Sequence, residues 1–279
     1  MYVQPKRPDF VRQQVWDQEM GRATSGLPSL VIKMDILLFN PSPVRLPQDW
    51  PTDIEIDQYV RHTPKASYKA RLVTLRITNM TNWVGPDGVV KPAMLINNTF
   101  LGPTIAADWG DYVQVNVYND LQHNGYHSHY SNQYGNRVVG ALIVNGPASA
   151  NYDIDLGPYM IQDYYRQTAD RFHYVAELVQ NGPPPDSNTI TFRGKSINPT
   201  GSGGSYDRLI LTPGKKHLLR LINASVDNSF TISLVGHNFT VIATDFVPVT
   251  PVIRSKLFMA VGQRYDVIVE ANHAVGRLL

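Results

Sequence analysis

Tyr68-Lys69-Ala70-Arg71-Leu72-Val73-Thr74-Leu75-Arg76-Ile77-Thr78 alternates along its length and is rich in branched residues, the pattern of a half-buried strand. A turn signal follows at Gly85-Pro86-Asp87-Gly88, then further strand patterns at residues 91–96 and 112–118. Gly102-Pro103 punctuates the gap between them, and Asp108-Trp109-Gly110-Asp111 reads as a tight polar corner feeding the second. Short strands separated by turns every eight to twelve residues or so predict an all-β sandwich or barrel.

Working outward, residues 1–51 mix charges, prolines and short apolar runs without a sustained period, and the spacing allows a short helix only over residues 12–20. An irregular arm is expected there. Downstream, residues 137–145 form a buried-type strand pattern ending at Gly146-Pro147, and residues 151–157 shift to Asp, Asn and Gly as a linker would. A second strand-rich block begins at residues 159–163. It continues with a helical spacing over 169–180, closed by Asn181-Gly182-Pro183, and strand patterns at 190–192, 206–211, 217–222, 230–234, 240–245 and 265–270. Residues 199–205 make a Gly/Ser loop that is followed by a strand and is too glycine-poor to cradle a phosphate. Nothing alternates helix with strand as a parallel α/β sheet would.

A length of 279 residues suits two domains, and a hydrophobic fraction of 43% suffices for ordinary cores. The net charge of +2, with no dense Lys/Arg run, argues against nucleic acid. The absence of cysteine excludes disulfides, thiol nucleophiles and any thiolate-bound copper on this chain. No apolar run is long enough to span a bilayer. Met1-Tyr2-Val3-Gln4-Pro5-Lys6-Arg7-Pro8 lacks the apolar region of a secretory signal, whereas four Asn-x-Ser/Thr tripeptides, at Asn79, Asn97, Asn223 and Asn238, point to a secretory history. Secreted and intracellular placements both stay open.

The chemistry concentrates in Tyr126-His127-Ser128-His129-Tyr130. Histidines two apart share one face of an extended strand, so His127 and His129 are placed to serve one metal or two neighbouring ones. The plainer reading is two polar rings on a solvated face. His123 is a turn residue or a third nitrogen donor. His237 reads as structural, and His62, His173, His217 and His273 lack partner spacing. Asp153, Asp155 and Asp163 form an acidic group around the linker, either an acid/base pair or solvated carboxylates. No Gly-x-Ser-x-Gly elbow occurs, and Ser128 has no separate orienting acid.

Several motifs together resemble fungal, ascomycete-type laccases, which are multicopper oxidases: Trp83-Val84-Gly85-Pro86-Asp87-Gly88, Gly102-Pro103-Thr104-Ile105, Asp108-Trp109-Gly110-Asp111, Tyr126-His127-Ser128-His129 with Gln133-Tyr134-Gly135-Asn136, Leu211-Thr212-Pro213-Gly214-Lys215, and Val261-Gly262-Gln263-Arg264-Tyr265-Asp266-Val267. The likeness runs from about residue 52 to 272. It implies cupredoxin-like Greek-key β-barrels. Residues 52–150 correspond to the first, 151–157 to a linker and 158–279 to the second, after the arm of residues 1–51. It also implies copper as cofactor, phenolic small molecules as partners, and oxidation of phenols coupled to reduction of dioxygen. His127 and His129 match the motif that ligates the paired coppers of the family's cluster.

Departures from the pattern are as informative. After Leu121-Gln122-His123-Asn124-Gly125 the family continues into a His-Trp-His-Gly motif and several tens of residues of barrel, whereas Gly125 here joins Tyr126 directly. The first barrel is therefore expected to be incomplete, with one His pair missing. The third-barrel His motifs and the Cys-containing motif are also missing. The expected copper site is incomplete, held by an imidazole pair with water and a carboxylate completing the shell. The expected function is a laccase-like oxidoreductase in shortened form; the alternative is a non-catalytic or simple copper-binding β-sandwich. Lost strands expose edges, which predicts self-association or recruitment of the first fifty residues as replacement strands.

Overall fold

The computed structural model describes residues 16–19, 30–37, 70–108, 111–121, 132–146, 148–175 and 185–272. Five strands make the first sheet: β1 (Trp16–Glu19), β2 (Leu30–Leu37), β3 (Ala70–Val84), β4 (Val90–Ile96) and β6 (Tyr112–Asn119), in the order β1-β2-β6-β3-β4. Across from it, β5 (Gly102–Asp108) pairs with β7 (Gly140–Asn145). A six-stranded sheet follows, ordered β13-β12-β15-β10-β8-β9, from β8 (Ile154–Tyr164), β9 (Thr189–Phe192), β10 (Lys216–Asn223), β12 (Phe239–Thr244), β13 (Val247–Arg254) and β15 (Arg264–Glu270). β11 (Phe230–Ile232) pairs with β14 (Leu257–Met259), and α1 (Ala169–Tyr174) is a short helix after β8.

Residue chemistry explains the order. Pro92 lies in β4, and Pro248 and Pro251 in β13, and both strands are outermost in their sheets, where a missing N–H breaks no ladder. In β10 every residue after Lys216 is buried, the mark of a central strand covered on both faces. One face packs Leu219, Leu221, Val241, Val267 and Val269 against Leu257 and Met259. The opposite face packs Leu218, Ile242 and Ile268 under Ala148, Ala150 and Tyr152. In the first unit, Val113 and Val115 pack with Ala107 between the five-stranded sheet and the β5–β7 pair.

The all-β expectation holds, with corrections in detail. Where the spacing allows a short helix over residues 12–20 and an irregular arm is expected, Trp16–Glu19 forms a strand. Within the supposedly irregular arm, Leu30–Leu37 lies antiparallel along all of β6, so an apolar run interrupted by Lys33 and Asp35 covers an edge that would otherwise be open. The connection between β7 and β8 begins and ends sooner than the expected linker, because β7 stops at Asn145 and β8 starts at Ile154, which pairs with His217. Residues 206–211 keep an alternating exposure but join no ladder. The sheets are mixed: β3 runs parallel to β6, β5 to β7 and β8 to β10. Composition misses this because parallel neighbours here are joined by way of other strands, with α1 the one helix among the described residues between such a pair. Of the helix expected at 169–180, Ala169–Tyr174 is formed and residues 176–184 lie outside the described residues. No helix among the described residues is long and apolar enough to cross a membrane.

Leu95 and Met259 are both fully buried. Leu95→Ala or Met259→Ala is expected to lower the unfolding free energy by about 2–5 kcal/mol in urea titrations, with little change in the denaturant slope.

Candidate functional site

The three candidate metal ligands, His123, His127 and His129, and Ser128 between two of them, lie outside the described residues, as do His62 and His273. What the structure places is the frame on either side. Leu121 on one side and Val138 on the other pack into a single apolar cluster with Ile77 and Ile96, so the two ends of the His-bearing stretch are brought together.

The downstream end is held hardest. Asn132 and Asn136 both donate side-chain hydrogen bonds to Asp170 at the start of α1, at 3.0 and 2.8 Å, one to each carboxylate oxygen. The Asn136 side-chain oxygen accepts the Ala169 N–H at 2.8 Å, and its carbonyl accepts the Met94 N–H at 2.9 Å. The Tyr134 hydroxyl donates toward the carbonyls of Ala224 and Ser225, at 2.6 and 2.7 Å. Burial, with Asp163 nearby, pushes that phenol up to about 12, so it stays a donor.

Arg137 closes the turn at φ +90° with its side chain fully buried. Its guanidinium donates to the Tyr165 carbonyl at 3.2 Å and lies 4.5 Å from the centre of the Tyr164 ring. Lys91 of β4 is buried beside it, donating to the Tyr165 carbonyl at 2.7 Å, with its Nζ 5.3 Å from the same ring. Two cations thus flank one aromatic ring and share one carbonyl, and Asp87 and Arg166, paired at 2.8 Å, complete the seam. Burial, reinforced by Arg137, pulls the Lys91 ammonium down to about 7. The turn carrying Asp87 meets the loop of residues 199–205 backbone to backbone. Gly88, at φ +81°, would place a Cβ 2.9 Å from Gly203 Cα, so this crossing requires glycine.

The acidic group read around the linker comes apart. Asp163 is buried and accepts the backbone N–H groups of Val226, Asp227 and Asn228 at 2.8–3.0 Å. Asp155 pairs with Arg220, and Asp153 accepts the Lys216 N–H at 2.8 Å. Each carboxylate is committed to its own structural partner, so no acid/base pair forms. His217 is buried, and its Nε2 accepts the Thr212 N–H at 2.9 Å, which makes it structural. His237 turns its Nδ1 toward the Val235 carbonyl at 3.0 Å, in keeping with the structural reading. Among the described residues no group of three or more His, Cys, Asp or Glu side chains is arranged to hold a metal ion. Copper therefore has no complete donor set there.

Residues 155–277 match a family profile described as multicopper oxidase, and residues 78–125 match a second profile of the same description. The chain belongs to the multicopper oxidase family. Within that family it is of the fungal laccase type: it is 43% identical to a laccase of Neurospora crassa over 278 aligned positions, covering 82% of this chain and 44% of that one. Laccase-1 of Melanocarpus albomyces is 41% identical, covering 80% of this chain and 42% of that one. Against the crystal structure of the laccase from Botrytis aclada the TM-score is 0.69 at 32% identity, covering 78% of this chain and 49% of that one. Fet3p, a multicopper oxidase that functions in iron import, shares the fold at a TM-score of 0.64 and 16% identity. The chain spans less than half the length of these curated relatives. The N. crassa alignment is also longer than the part of this chain it covers, so tens of positions in that multicopper oxidase have no counterpart here. The shorter profile match ends at residue 125, the residue joined directly to Tyr126.

The motif in the sequence reports the family, but not the frame. Lys91, Arg137 and Asp170 carry no spacing signature, since their partners lie far off in sequence and two of those partners are backbone carbonyls. Two outcomes test the frame. Folded Lys91 sheds its proton near pH 7 while the unfolded lysine holds it to about 10.5, so the unfolded state binds the extra proton in between. Stability is then lowest below pH 7 and rises toward pH 9, by at most about 1.4 kcal/mol per pH unit, and Lys91→Met removes that slope. Asp163→Ala orphans three backbone donors and is expected to cost on the order of 3 kcal/mol in chemical denaturation.

Proposed function

We propose that this chain supplies copper ligands to a laccase-type oxidase. His127 and His129 are the ligand pair and His123 is the third nitrogen beside them. The observation that supports the reading best is that His127-Ser128-His129 belongs to a stretch whose two ends, Leu121 and Val138, pack in a single cluster, within a chain of the multicopper oxidase family. In this reading residues 52–150 and 158–279 are two cupredoxin-like domains, the first shortened, joined at 151–157 and preceded by the arm of residues 1–51.

Copper supplies the one-electron chemistry that couples phenol oxidation to dioxygen reduction. The chain's own part is to present the imidazoles and to hold the turn that follows them through Asn132, Tyr134 and Asn136. Phenolic small molecules are the substrates, and by resemblance to the fungal laccases the protein is secreted. The thiolate-bound copper of the family needs a cysteine that this chain does not contain, so turnover depends on a donor outside it.

Calorimetric titration of the purified protein with Cu(II) tests the ligand assignment. Binding is expected in the unaltered chain, weakened at least about tenfold in the His127→Ala, His129→Ala double variant, with folding confirmed by circular dichroism. Equal heats in the two proteins would sink the assignment. A weaker affinity in His123→Ala confirms the third nitrogen, and an unchanged one leaves it a turn residue.

A further inference from the structure

The four glycosylation tripeptides are alike in sequence and unlike in the fold. Asn223 is fully buried, and both hydrogens of its amide are used, donated to the carbonyls of Asn228 and Met259 at 3.0 and 3.1 Å. Its oxygen accepts the Ser225 N–H at 3.1 Å, so a sugar on that nitrogen is incompatible with this fold. Asn97 sits at φ +52° and is tied to strand β3, its side-chain oxygen accepting the Arg76 N–H at 2.7 Å. Asn238 is exposed, but it precedes the buried Phe239, and Thr240, the third residue of its tripeptide, is half-buried in β12 with β13 on one side and β15 on the other.

Asn79 differs from all three. It and Thr81, the third residue of its tripeptide, are both exposed. They lie on β3 beyond the last residue that β6 reaches, since the β3–β6 ladder ends at Ile77 opposite Asn119, while β3 runs on to Val84 with β4 alone. Among the described residues no strand continues the ladder on that side of residues 78–84. The β3–β4 register also shifts between Met80 and Trp83, so Thr81 sits in an irregular stretch of the ladder.

We infer that Asn79 carries an N-linked glycan, which covers the unpaired margin of β3, and that Asn223 carries none. In the modification the Asn79 side-chain nitrogen bonds to the anomeric carbon of a lipid-pyrophosphate-linked oligosaccharide. The bond from that carbon to the pyrophosphate breaks, the pyrophosphate leaves with the bonding pair, and the amide gives up one proton. The glycan does for this margin what charge, proline or a covering loop does for other exposed strand edges. It keeps a second copy of the chain from pairing there. The inference rests on the secreted reading of the chain.

The test is expression of the full chain behind a cleavable secretion leader in a glycosylating yeast, with site occupancy read by peptide mass spectrometry after glycosidase treatment. Because the leader imposes secretion, an empty Asn79 overturns the site and leaves the laccase-type reading standing. Occupancy at Asn79 and not at Asn223 is expected in the unaltered protein and in Thr81→Ser, and loss at Asn79 in Asn79→Gln and Thr81→Ala. Glycan found on Asn223 of folded protein also overturns the inference. By light scattering, both variants lacking the glycan are expected to self-associate where the unaltered protein and Thr81→Ser stay monomeric. Monomeric Asn79→Gln and Thr81→Ala would overturn the edge-covering role.

Discussion

The seam of Lys91, Arg137 and Asp87 against Tyr164, Tyr165 and Arg166 is the interaction on which the rest of the molecule depends. It joins the outer strand of the first sheet, the turn after the His-bearing stretch and the end of β8 in the second sheet. Buried cations are tolerated only with acceptors in place, and here Lys91 and Arg137 share a backbone carbonyl and an aromatic face while the buried Asp87 pairs with Arg166. Removing one member leaves another uncompensated, so the two sheets are coupled through electrostatics as well as through apolar contact.

Around that seam the packing is divided by function. The six-stranded sheet is covered on both faces and behaves as a rigid base, with β10 at its centre. From its margin Asp163 gathers three backbone N–H groups, while Ala224 and Ser225 receive the Tyr134 hydroxyl. The turn that follows the histidine pair is thereby fixed to the better-packed half of the chain. Orientation of metal-bound imidazoles depends on such outer contacts, so under the proposed ligand assignment the second sheet contributes to the site although it holds none of the candidate ligands.

The first sheet is assembled differently. With tens of positions of its laccase relatives absent, the strand from the N-terminal stretch, β2, runs along β6 and closes an edge. Hydrophobic pattern alone did not reveal this, because Lys33 and Asp35 break the apolar run and a pairing partner eighty or so positions away leaves no local trace. The same ignorance of partners explains why residues 206–211 read as a strand and form none. Their alternation reflects Leu209 and Leu211 packing on the core, without a neighbour for the backbone.

From the amino-acid order alone follow the all-β class, most strand positions, the family and the histidine pair, because these are carried by local periodicity and by contiguous motifs. The tertiary structure decided the roles of single polar residues. Asp153, Asp155 and Asp163 look alike in sequence and end as three separate structural acceptors, and four identical-looking Asn tripeptides end with one amide consumed in the core and one free on a strand margin. Burial and hydrogen-bond partners are set by chain segments far apart in sequence, and a local pattern carries no information about which distant carbonyl or amide will arrive beside it.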